Sequence, residues 1–162
     1  MRGFLTDGRT IIWSGLAFLA LTIGFGIWIQ SINLQMILDE LSNADQIRRV
    51  VAEMSAEQRA GHWWMTLVLD YAYPLAYGCF FAGLALRNFD KAGFWIAVPA
   101  FVSIPADMIE NTIQLFILSG DDALIWVKTI ITPIKLVSFV LAGINALLGM
   151  GLAVYRRLAG PD

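Results

Sequence analysis

The chain has 162 residues, 58% hydrophobic and 15% charged, well short of the roughly 25% charged residues of a soluble globular domain. A soluble protein of this length has too little interior for so much apolar surface, so lipid must cover part of it. A net charge of −2, with basic residues adjacent only at Arg48–Arg49 and Arg156–Arg157, gives nucleic acid no footing, and one cysteine (Cys79) with one histidine (His62) makes neither an intrachain disulfide nor a zinc pattern.

The length fits one domain. Crossing a ~30 Å hydrocarbon core takes about 20 apolar residues at 1.5 Å each. Four stretches qualify: about 10–30, 63–86, 94–118 and 130–155. The first is too long for a secretory h-region and no small-x-small site follows, so it reads as a helix of the mature protein. Arg2, Arg9, Arg87, Lys91, Arg156 and Arg157 all fall on one side of this four-span scheme. By the positive-inside rule that side, with both termini, is cytoplasmic, in a bacterial inner membrane. Trp13, Trp63, Trp64 and Trp95 read as interfacial belt residues, with His62 at the interface beside them.

The segment 31–60 falls outside. Apolar residues run from Ile32 to Leu41, Ser42-Asn43 breaks the run, and Ile47, Val50, Val51 and Met54 recur at helical spacing. Ser55 with Gln58 reads as a capping box opening the helix that enters the second span. The expected fold is all-α: a four-helix transmembrane bundle with a short amphipathic helical segment on its outer face, as a packed cap or as a lid.

Ionisable residues inside spans are costly and face the bundle interior or a cavity. At 1.5 Å per residue from the cytoplasmic ends, Asp70, Asp107 and Glu110 lie at about 21–25 Å and Lys135 at about 31 Å, with Lys128 at or beyond the outer interface. Ser103, Asp107, Glu110, Asn111 and Gln114 form one stripe on the third span; Thr66, Asp70, Tyr73, Pro74 and Tyr77 form one on the second; Lys128, Thr132, Lys135 and Ser138 form one on the fourth. The first span supplies little, since Gly15, Thr22 and Gly26 make a face suited to close helix contact. Pro74, Pro105 and Pro133 free the carbonyls of Asp70, Phe101 and Thr129, which must find neighbours or line a wet cavity. With three carboxyls against one or two lysines, at least one proton or bound cation is expected in the layer. The expected ligand-binding set is Asp70, Tyr73, Tyr77, Asp107, Glu110, Asn111, Gln114 and Lys135, with no protein metal site and no assigned catalytic residue.

The order Met54-Ser55-Ala56-Glu57-Gln58-Arg59-Ala60, then Asp70-Tyr71-Ala72-Tyr73-Pro74-Leu75-Ala76-Tyr77-Gly78, then Pro105-Ala106-Asp107-Met108-Ile109-Glu110-Asn111 resembles a family of small four-span bacterial integral membrane proteins with D-x3-P-x2-Y-G and D-x2-E-N segments. The resemblance covers roughly residues 54–118 and implies the four-span fold and the site, but no reaction. His62 and the paired tryptophans depart from the small polar or Tyr residues of that pattern.

Three functions compete on this reading. One is an outward-facing acidic pocket for a cation, a proton or a lipid-like ligand, with binding or transport as its role. Another is an enzyme acting on a lipid or isoprenoid substrate, which would need clustered carboxyls as acid and base or as oxygen ligands for a divalent ion; the spans offer no activated nucleophile. The third is a structural or assembly factor with the polar network as internal glue. The expected partners are the lipid bilayer and a small cation or lipid-like molecule, with homo-oligomerisation left open.

Overall fold

The structure, a computed structural model, describes residues 2–160. A short helix α1, Arg2–Thr6, leads to Asp7, whose carboxylate accepts the amides of Arg9 (3.0 Å) and Thr10 (3.2 Å) and so starts α2, Gly8–Ser31. Asn33 adopts φ 49, a left-handed turn just past the end of that helix. The chain then runs through a 3-10 turn, Leu38–Glu40, to α3, Ala44–Glu53, capped by Asn43. Ser55 and Gln58 form the expected capping box, and from it α4 runs unbroken over Ala56–Asn88. Two more helices follow, α5 (Gly93–Leu118) and α6 (Ile125–Leu158). Among the described residues there is no strand, and α2, α4, α5 and α6 are long and apolar enough to cross a membrane. The protein is an all-α four-helix membrane bundle.

The helices do not pack evenly. α5 and α6 pair along their length and α4 lies against both, whereas α2 rests on α4 and makes no comparable contact with α5 or α6. Only Ile11 of α2 is buried. One end of the bundle, where both described chain ends and the 88–92 turn meet, is filled by aromatic and small residues: Tyr77 and Phe81 against Ala82, Ala85, Ala100 and Ala146. Gly78 lets α4 approach Ile104 of α5, and a Cβ on Gly83 would lie 2.6 Å from the carbonyl of Leu5. The face expected on α2 is only partly a close contact: Gly15 meets Phe80, but nothing lies near Gly26.

The opposite end is covered by the 3-10 turn and α3. Leu38, Leu41, Ile47 and Val51 are buried against Ile113, Ile117 and Leu118 of α5 and Ile125 of α6. Taking such side chains out of water contributes about 1.5–3 kcal/mol each, so hydrophobic burial holds this cap. The Arg48–Asp122 pair, 2.7 Å apart with both side chains 52% exposed, adds little beside it. The segment is therefore a packed cap, with its apolar face turned onto the bundle.

The cap corrects three placements. α6 begins five residues before the expected start of the fourth span, and Lys128 is wholly buried beneath the cap instead of at an interface. His62 is likewise wholly buried, not interfacial. Trp13, Trp64 and Trp95 are exposed as belt residues should be, but Trp63 is half-buried against the cap cluster and donates to Ser119 Oγ at 3.1 Å.

Candidate functional site

The polar stripes of α4, α5 and α6 converge beneath the cap, where Asp70, Asp107, Glu110, Asn111, Gln114, Lys128, Thr132 and Lys135 are all buried. Local backbone chemistry positions Asp70. Pro74 has no N–H to give its carbonyl, and the helix widens to a π-turn over Thr66–Asp70. Asn111 Nδ2 donates to the freed carbonyl at 2.8 Å. The Pro74 kink is thus satisfied by a neighbouring helix, and Asn111 serves the backbone of Asp70, away from the cavity described below.

Glu110 is the best-supplied carboxylate. Its Oε1 accepts from Lys128 Nζ and from Thr132 Oγ1 (2.6 Å), and Lys135 Nζ lies 2.5 Å from Oε2, though without hydrogen-bond geometry. Lys135 also reaches Asp107 Oδ1 at 3.7 Å and, from the cap, Asp39 Oδ1 at 3.5 Å. Asp107 receives the Tyr77 hydroxyl at 3.0 Å. Oxygens of Asp39, Asp107 and Glu110 lie within 4.8 Å of one another, close enough to hold a metal ion, but the ammonium of Lys135 already touches all three. An internal cation occupies that place.

Asp39, on the cap, is a member of the site that is absent from the expected ligand-binding set. Its Oδ2 accepts from Gln114 Nε2 at 3.1 Å and lies 4.0 Å from His62 Nε2. Gln114 Nε2 also reaches Thr66 Oγ1 at 2.9 Å. Burial would push the Asp39 carboxyl up, but Lys135, then the His62 contact and Lys128, hold it well below the usual carboxylate range. Its bracketing by Leu38 and Leu41, both buried, was the one available sign that Asp39 points inward.

Beside this network lies a cavity of about 320 Å³. Of the expected ligand-binding residues, Asp70, Tyr73, Tyr77, Asp107 and Lys135 line it, whereas Glu110, Asn111 and Gln114 stand behind it in the network. Asp39 and the exposed Glu40 of the cap line its polar end as well, and the rest of the wall is mainly apolar: Phe25 and Ile29 from α2, Ile37 from the cap, Met65 from α4, Leu136 and Phe139 from α6. Contrary to expectation, α2 contributes a wall, and its Thr22 Oγ1 lies 3.3 Å from the Tyr73 hydroxyl. Because α2 and α6 scarcely touch, the cavity lies in the cleft between them, in front of α4.

The layer holds the buried carboxyls of Asp70, Asp107 and Glu110 and the part-buried one of Asp39 against the ammonium groups of Lys128 and Lys135. Asp70 is the member without a share in the pairing: it is 5% exposed, no lysine lies within ion-pair reach, and its Oδ2 has no hydrogen-bond partner. The chain matches no family model, no curated protein and no solved structure, so the reading rests on this geometry.

Proposed function

We propose that the protein binds a lipid-like small ligand in the cleft between α2 and α6, at the level of the outer leaflet of a bacterial inner membrane. Orientation is supported by the basic residues: Arg2 and Arg156 contact Asp90 at the end away from the cap, and Arg9, Arg87, Lys91 and Arg157 lie in the same stretches of chain. That puts the termini in the cytoplasm and the cap outside. Kinship with the four-span family of D-x3-P-x2-Y-G and D-x2-E-N segments belongs to the same proposal.

One observation carries it. The cavity has a polar end at Asp39, Glu40, Asp70, Asp107 and Lys135 and a mainly apolar wall, and it lies between two spans that do not close on each other. A cleft in the flank of the bundle serves a molecule that arrives through lipid, head in the polar end and chain along the wall. Binding, or transport across the leaflet, follows from such a site, and no group in it is set up as a nucleophile.

Native mass spectrometry of the protein released from mild detergent tests this. The wild type should retain one amphiphile per chain. Leu136→Trp, which fills the cleft from α6, should lose it without loss of fold. Equal retention by both proteins would show the lipid to be annular and sink the proposal.

A further inference from the structure

We infer that the ligand's head carries a positive charge, an ammonium group on an apolar chain, and that Asp70 is its counter-ion. The inference rests on the cleft reading and narrows it. Three of the four carboxyls in the layer are supplied from within. Glu110 has Lys128, Thr132 and Lys135, Asp107 has Tyr77 and Lys135, and Asp39 has Lys135 and Gln114. Asp70 alone lines the cavity with a buried oxygen that nothing donates to. A buried, unpaired carboxylate is expensive and is offset best by a cation with donors.

The walls favour the same chemistry. Tyr73, Tyr77, Phe25 and Phe139 stand around the cavity, with Phe25 and Tyr73 in edge contact at 5.2 Å and Tyr77 and Phe139 at 4.8 Å. Aromatic faces attract ammonium groups, most strongly where water is excluded. An anionic head is disfavoured. Lys135, the one ammonium that lines the cavity among the described residues, is already engaged by three carboxylates, and the layer as a whole has more carboxyls than lysines.

The test compares two probes with the same chain, dodecyltrimethylammonium and dodecanol, by equilibrium binding to the full chain in maltoside micelles, with protein-free micelles subtracted. The wild type should prefer the ammonium at least tenfold. Asp70→Asn, which keeps the side chain's shape, should abolish that preference while still binding dodecanol. Leu136→Trp should bind neither. Added phosphatidylethanolamine that displaces the probe would assign the ammonium to a membrane lipid, and failure to displace it would assign it to a free amphiphilic amine. Equal binding of the two probes by the wild type, or a preference that survives Asp70→Asn, overturns the ammonium assignment and leaves the cleft reading standing. Binding of neither probe by the wild type overturns both.

Discussion

Glu110 and Asp70 are buried carboxyls in one polar layer of one bundle, and their surroundings are opposite. Glu110 stands between α5 and α6, the pair of helices packed along their length, accepts from Lys128 and Thr132 and is ion-paired with Lys135. Asp70 stands on α4 where α2 leaves a cleft, with an oxygen that has no partner. The difference shows how one polar layer can hold the bundle together on one side and remain available on the other. A fully supplied buried charge fixes helix packing. An unsupplied one is stable only with a partner from outside the chain or a proton.

The comparison makes its largest prediction at Glu110. Glu110→Ala strands the buried ammonium of Lys128 and takes one of three carboxylates from Lys135, and removal of one partner from a buried pair costs about 3–5 kcal/mol. The melting temperature in detergent should fall sharply, and adding Lys128→Met should recover part of the loss, because the two changes act on one contact. Asp70→Asn, by contrast, should melt close to the wild type. If the two carboxyl variants destabilise equally, the division between a structural side and a binding side is broken.

A smaller effect is expected at Asp39, which ties the cap to Lys135 and Gln114. Loss of such charge-assisted contacts costs roughly 1–3 kcal/mol, while the apolar cap contacts remain. Asp39→Ala should speed tryptic cleavage at Arg48–Arg49 without unfolding the spans. Because the folded protein holds this carboxyl below its ordinary range, its stabilising share is complete above that range and is lost as pH falls through the depressed value. Cleavage at an unchanged rate in the variant would mean that apolar packing alone secures the cap, and would confine the network's structural role to α5 and α6.

Much of this was legible in the chain. The four spans follow from apolar length, and the stripes through Asp70, Tyr77, Asp107, Glu110 and Lys135 follow from helical spacing. The Ser55–Gln58 box announced the start of α4 seven residues before the apolar run. Apolar length locates the hydrocarbon edge, not the edge of the protein interior, and so gives no sign that Lys128 and His62 are buried. The cap extends that interior outward, so a lysine beyond the apolar run is still buried. Asp39 sits in a 3-10 turn after an extended stretch, where no helical period reports which way a side chain faces. The cleft was illegible for a different reason. It depends on α2 resting on α4 alone, and a face of Gly15, Thr22 and Gly26 reads as close packing whether or not a neighbour is there.

On the proposal above, the flank of the bundle between α2 and α6 receives an amphiphilic cation. The most direct measurement of this is photolabelling with a twelve-carbon trimethylammonium that carries a diazirine in its chain, followed by peptide mapping. Label is expected on α2 around Phe25 and Ile29 and on α6 around Leu136 and Phe139, competed away by excess unlabelled amine. Label spread over exposed lipid-facing residues such as Val102 and Ile109 of α5, or label that excess amine does not displace, would contradict it.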